Sequence, residues 1–306
     1  MSVGSRLVTA TGADQYLESP AQRREMLLGI ALILPSVILI GGVIIYPIIY
    51  NVYLSFTEVP LNPDQSPTWV GLENYLSLLT TTRFWQAFQT TAIFTAGSTV
   101  ASTVAGLAVA LLFNRQFRGQ RLARGLVLLP HVTPIIGVAF VWQFILSPLW
   151  GAIPNLLAQW GLYSSQTSLL AQSSTALPTV IVFSAWRNFP FAFLLLLARL
   201  QAIPESMYEA AQIDGAGPLA QFKDITLPEL RGTIAIVVLL RSIWEFNAFA
   251  QVWLLTKQVL TLPVFAYQTA FANFEQGLGA AVSLLLFVIQ AMFVIGFVML
   301  FGENKI

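Results

Sequence analysis

The chain has 306 residues, of which 56% are hydrophobic and only 9% charged, with a formal net charge of +1 and no cysteine. A soluble domain carries about 25% charged residues, so this composition excludes a water-covered globule and reads as an integral membrane protein whose apolar surface faces lipid. The small net charge gives no general attraction for nucleic acid, and the missing cysteines exclude disulfides, thiolate chemistry and cysteine-ligated metals.

Six apolar stretches, at 26–56, 86–114, 122–146, 175–201, 232–256 and 280–301, approach or exceed the roughly 20 residues that a bilayer span needs. Backbone groups in lipid must bond within their own segment, so the stretches predict helices. A closed β-barrel would need alternating polarity, and LLLLARL (194–200) does not alternate. The first stretch follows Arg23 and Arg24 but outruns a signal-peptide core of about 7–15 residues, so it reads as a retained anchor. Its Pro35 and Pro47 are tolerable in a packed membrane helix. After it, Pro60, Pro63 and Pro67 precede WVGLENY (69–75), which predicts a turn-rich loop leading into a short surface helix. In the third stretch Pro130 and Pro134 bracket His131, the sole histidine; with no cysteine or acidic cluster beside it, it reads as a packed polar group.

Lys and Arg set the orientation. With the N-terminus in the cytoplasm, eleven fall inside (Arg6, Arg23, Arg24, Arg115, Arg118, Arg121, Arg124, Arg199, Lys223, Arg231 and Lys305) and two outside (Arg83 and Lys257). The predicted organisation is all-α: a cytoplasmic segment at 1–25, a six-helix membrane domain at 26–301 and a cytoplasmic tail at 302–306. Between the fourth and fifth helices lies a cytoplasmic loop, 204–230.

That loop contains EAAQIDGAGPLAQFKDITLP (209–228). Pro204 suits the first position of a helix, and Glu205 and Glu209 sit near its positive end. Gly215 and Gly217 permit a turn after Asp214. A second helix would start at Pro218, place Leu219, Phe222 and Ile225 on one face, and end at Pro228. The expectation is a helix–turn–helix, either packing on its own bundle or docking another protein through the small Ala210 and Ala211.

Glu209, Ala210, Ala211, Gly215, Ile225, Leu227 and Pro228 resemble, at the same spacing, the Glu-Ala-Ala…Gly…Ile-x-Leu-Pro loop of ABC importer permeases. AWRNFPFAFLLLLARLQAIPESMYEAAQIDGAG (185–217), RSIWEFNAFAQVWLLT (241–256) and VGLENY (70–75) are similar to the carbohydrate-uptake branch of that family. Where members often carry a Gly-Gly-Pro-rich turn after the fifth span, this chain has KQV (257–259), which leaves the solute-side contacts open. The resemblance implies a non-catalytic inner-membrane subunit of a prokaryote. Its implied partners are a second permease, two ATP-binding subunits and an extracytoplasmic solute-binding protein, with ATP and Mg bound by the ATPases. In agreement, Lys223, Lys257 and Lys305 follow Phe, Thr and Asn, so none completes a P-loop.

Ionisable groups within spans are costly and point to function. Arg241 and Glu245 are i,i+4 neighbours in the fifth stretch and can pair. At about 100° per residue, Trp244, Asn247 and Gln251 share that broad face, opposed by Ile243, Phe246 and Ala250. Asn and Gln can hydrogen-bond hydroxyls and Trp offers an apolar platform with an N–H, which suits a neutral sugar or polyol. The stripe could equally pack on another helix, with Arg241–Glu245 as a buried strut. Trp186, Arg187 and Asn188 precede Pro190 and form either a second polar contact or a cap on a broken helix. Trp142 and Gln143 are weaker candidates. A polyamine or phosphorylated solute, and an ion-coupled carrier without an ATPase, stand as alternatives; a phosphate ligand would call on Arg187 and Arg241.

Overall fold

The computed structural model describes residues 20–62, 64–115, 117–161 and 168–301. The expected tail at 302–306, Pro63 and most of the expected segment 1–25 lie outside them. Among the described residues, four helices are long and apolar enough to cross a membrane, Arg24–Ser55, Thr82–Phe113, Ser173–Leu200 and Gln276–Phe301, and a bent pair makes a fifth if counted as one span.

The chain divides into two units, Met1–Tyr53 and Leu54–Ile306. The first holds α1 (Pro20–Ile40), a π-helical turn (Gly41–Ile45) and most of α2 (Tyr46–Ser55). The turn has a cause in the sequence. Pro47 lacks an N–H and its ring would press on the carbonyl one turn back; widening the preceding turn, with the Tyr46 N–H reaching Gly41 O, relieves that conflict.

The second unit begins with a two-residue antiparallel ladder, β1 (Thr57–Glu58) and β2 (Thr68–Trp69). Then come α3 (Glu73–Thr80), α4 (Thr82–Phe113), α5 (Gln120–Val132), α6 (Ile135–Ile145), α7 (Ala152–Gln159) and α8 (Ser173–Leu200). The remainder is α9 (Glu205–Ile213), α10 (Pro218–Gln221), a π-turn (Phe222–Thr226), α11 (Leu227–Phe246), α12 (Ala250–Leu255), α13 (Leu262–Tyr267), another π-turn (Gln268–Ala272) and α14 (Gln276–Phe301). Helix α4 lies along α8 with small residues between them. A Cβ on Gly106 would stand 2.6 Å from Ala192 Cβ and 2.8 Å from the Phe193 backbone N, so glycine is what lets the backbones approach. At one end of this pair Ala110, Phe193, Leu200 and Leu230 form a buried cluster. Further along, Phe94, Val180, Phe183 and Val252 form a second, and Leu78, Phe84, Leu262 and Ala281 a third.

Three expectations are corrected here. The stretch 122–146 is not one helix: α5 and α6 meet at 93°. Pro134 causes this, since it cannot donate and forces the preceding Thr133 into an extended conformation (φ −66°, ψ 139°). The stretch 232–256 is likewise interrupted, α11 ending at Phe246 and α12 starting at Ala250. No proline or glycine lies at that break; instead Asn247 Nδ2 donates to Ile243 O (2.9 Å), competing for a carbonyl of the helical ladder. Finally, Pro228 does not end a helix. The chain stays helical from α10 into α11, and the Leu227 N–H bonds Phe222 O through the π-turn. This is the same solution as at Pro47.

Candidate functional site

Three residues of α8, Ser184, Arg187 and Asn188, fall on one face by their i, i+3, i+4 spacing. That face meets the end of α11. Glu245 is 1% exposed and Arg241 2%, and the two form an ion pair. Burying a carboxylate is tolerable only when its remaining lone pairs are satisfied, and they are. Ser184 Oγ lies 2.8 Å from both carboxylate oxygens. Asn188 Nδ2 donates to Oε1 (3.1 Å), and Gln251 Nε2 donates to Oε2 (2.8 Å) from beyond the helix break. The carboxylate therefore ties together α8, α11 and α12. Arg241 Nε has no hydrogen-bond partner among the described residues.

Arg187 holds the other break. Pro134 leaves the Pro130 carbonyl without its helical donor, and Arg187 Nη1 donates to Pro130 O (3.3 Å) and Thr133 O (2.8 Å). Both broken helices thus converge on one recess of about 480 Å³, with Arg187, Asn188, Trp244, Asn247 and Gln251 in its wall. His131 also lines it, so this histidine is not simply packed away. Trp244 is 46% exposed and packs edge-on against Phe191 at 4.8 Å.

Trp244, Asn247 and Gln251 all line the recess, and the helical wheel departs from the structure at Ala250. Ala250, expected on the far face, lines the recess, and Asn247 Nδ2 turns to Gln290 Oε1 of α14 (2.7 Å). Trp186 is not in the recess wall; its ring packs against Trp142 at 5.4 Å. Sequence reasoning missed Ser184 and Gln290. Ser184 was findable four residues before Asn188. Gln290 is the one amide in the apolar stretch 280–301.

The loop residues lie apart from the recess. Glu209 and Ala210 are exposed on α9, Ala211 is half-buried, and Asp214 follows the helix as its cap. Gly215 takes φ +82°, and Ala216 N–H returns to Ala211 O (2.8 Å). Phe222 and Ile225 are half-buried, while Leu227 and Pro228 are exposed. Ile213 and Leu219, on either side of the turn, are 87% and 80% exposed. The element is tied to its own unit by Tyr208 Oη and Thr226 Oγ1 (3.0 Å) and by the Arg199–Glu229 ion pair (2.5 Å). No group of three or more His, Asp or Glu among the described residues is placed to hold a metal ion.

Residues 102–303 match the model of the family described as binding-protein-dependent transport system inner membrane component. The chain belongs to that family. This permease is 41% identical over 268 residues to the inner membrane ABC transporter permease protein YcjO of Escherichia coli, covering 87% of its own length and 92% of the relative's. It is 31% identical over 304 residues to the trehalose transport system permease protein SugA of Mycobacterium tuberculosis, covering 98% and 96%. A crystal structure of a bacterial ABC transporter involved in import of the acidic polysaccharide alginate superposes with a TM-score of 0.78 at 23% identity, over 91% of this chain and 96% of that one, so the fold is shared. The permease is accordingly a multi-pass inner-membrane transport component, and the family is non-catalytic.

Proposed function

We propose that this permease forms, with a second permease, the pathway of an ATP-driven importer for a sugar, oligosaccharide or polyol delivered by an extracytoplasmic binding protein. Relatives bearing the names of trehalose, trehalose/maltose and sulfoquinovosyl glycerol transport permeases support the solute class. The observation that carries the reading is the recess at the two helix breaks. It is lined by the amides Asn188, Asn247 and Gln251 and by the exposed Trp244 ring. Amides can donate to and accept from hydroxyls, and an aromatic face covers the apolar side of a sugar ring.

Six spans follow if the α5–α6 pair counts as one and α11–α12 as another. The Lys and Arg bias then sets both termini, and the α9–α10 element, in the cytoplasm. There Glu209–Pro228 would dock one of two ATPase subunits, which bind the ATP and Mg, with the exposed Ile213 and Leu219 entering its surface. ATP turnover would alternately favour two packings of the same helices. Co-purification of the tagged permease from native membranes tests this reading. Recovery of an ATPase and a second permease, with ATP-dependent sugar uptake after reconstitution, is the expected result. Recovery of the chain alone, active in liposomes without ATP, overturns it.

A further inference from the structure

The wall of the recess continues beyond Phe249. The Phe249 ring stacks on Trp253 with centroids 5.7 Å apart and planes at 19°. Tyr267 packs against both, at 4.9 and 5.1 Å, and against Phe271 at 5.2 Å. These rings come from two i,i+4 pairs, Phe249 with Trp253 at the start of α12 and along it, and Tyr267 with Phe271 on α13 and the following π-turn. Phe249 and Trp253 are half-buried, Tyr267 is 38% exposed and Phe271 65%. Trp253 also lines a second recess, of about 530 Å³, with Gln143, Ser147, Thr256, Lys257 and Gln258. Phe249 lines the first recess and Trp253 the second, so the stacked pair links the two.

The direction of this line is fixed by its anchors. Leu262 N–H donates to Thr91 Oγ1 (2.8 Å) and Arg83 Nη2 to Gln268 Oε1 (3.1 Å), so α13 and its π-turn sit at the N-terminal end of α4. The other end of α4, at Ala110, packs with Leu200 and Leu230, beside α9 and α10. The rings run from the end opposite the α9–α10 element toward the inner recess.

We propose that Phe249, Trp253, Tyr267 and Phe271 form a track that binds the pyranose rings of a neutral saccharide on its way to the inner recess. The inference rests on the transport reading above and adds a second binding region to it. A pyranose presents a face of C–H groups and a rim of hydroxyls. The C–H face suits the negative face of an aromatic ring, and the rim needs hydrogen-bonding groups at the edges, as Gln143, Ser147 and Gln258 are in the outer recess. Aromatic residues that anchor a protein at a lipid interface form belts at headgroup level; here the rings touch in sequence and lead into a polar recess. Lys257 Nζ lies 3.0 Å from the Trp253 ring centroid and is held there by its bond to Trp253 O (2.8 Å). The ammonium covers the face that a sugar would take, and entry exchanges a cation–π contact for a C–H contact.

The test is sugar uptake per ATP hydrolysed, in proteoliposomes holding the permease with its partner permease, ATPase subunits and binding protein. Radiolabelled trehalose and maltose are the probes. Tyr267→Ala is expected to lower this ratio by about fivefold, and Phe271→Ala by about threefold, while Tyr267→Phe restores it. Phe271 is the more exposed, so its variant keeps the test open if Tyr267→Ala does not assemble. Lys257→Met, which uncovers the Trp253 face, is expected to raise the ratio; a loss there would make the ammonium the binding group and overturn the track. If the wild-type complex imports these sugars and both alanine variants keep the wild-type ratio, the track is wrong and the transport reading stands. If the wild-type complex hydrolyses ATP but imports neither sugar, the track falls, and the transport reading is decided by the co-purification test above.

Discussion

Glu245 accepts from Arg241, Ser184, Asn188 and Gln251, so its charge is distributed over three helices rather than held by one partner. The two ends of this network should not be equal in mutation. Glu245→Gln leaves the Arg241 guanidinium buried without a counter-charge, a defect of about 3–5 kcal/mol. Ser184→Ala removes one hydrogen bond, and such bonds in membrane bundles average about 0.6 kcal/mol. The thermal midpoint of the detergent-purified permease should therefore fall much further for Glu245→Gln than for Ser184→Ala. Equal falls would mean that hydrogen bonding, not charge, holds the site. A separate residue-scale expectation concerns Gly106. Because a Cβ there meets Ala192 and the Phe193 backbone, Gly106→Val must push α4 from α8. Overpacking of this kind costs about 1–3 kcal/mol, visible as the same midpoint shift without any change of charge.

At the scale of elements, the apolar runs were legible because 20-residue hydropathy averages over local detail, and the breaks were not. Hydropathy reads through Pro134 as one span, and nothing in the sequence shows that Arg187, fifty-three positions later, donates to the Pro130 and Thr133 carbonyls. The α11–α12 break carries no proline or glycine; Asn247 bonds Ile243 O there, and Asn188 of α8 on Glu245 and Gln290 of α14 on Asn247 are contacts that no single-sequence periodicity contains. Pro228 misled because a proline usually stops a helix, whereas a π-turn can precede it at little cost. Gly215 was legible, and its φ of +82° is the reason glycine stands there. Nothing lies within 4 Å of a Cβ at that position, so any penalty comes from the backbone alone. Gly215→Val should cost at least about 1–2 kcal/mol locally, loosen the turn and reduce the ATPase recovered with the permease. Gly215→Asn should largely preserve it, since Asn tolerates the left-handed region. Pull-down yield of the ATPase measures both, and equal recovery with Val would remove Gly215 from any docking role.

For the molecule as a whole, the question is whether the two broken helices mark a strut or a path. A strut needs only that the buried polar groups satisfy one another. A path needs some of them to be free to exchange partners. Asn247 separates these cases because it is exposed, lines the recess and yet bonds Gln290 of α14 (2.7 Å), which itself donates to Ile243 O (3.2 Å). Asn247→Ala and Gln290→Ala each delete the bond between the two amides and one further bond to Ile243 O, so a strut predicts similar losses of stability, about 0.6 kcal/mol per bond, and equal transport. A path predicts a difference, because Asn247 is in the recess wall and Gln290 is not among its lining residues. Asn247→Ala should then lower sugar-stimulated ATP hydrolysis in the reconstituted complex several-fold more than Gln290→Ala, at matched thermal stability. Indistinguishable ATPase stimulation in the two variants would return Asn247 to a packing role and leave the translocation pathway to Trp244, Gln251 and the aromatic rings beyond Phe249.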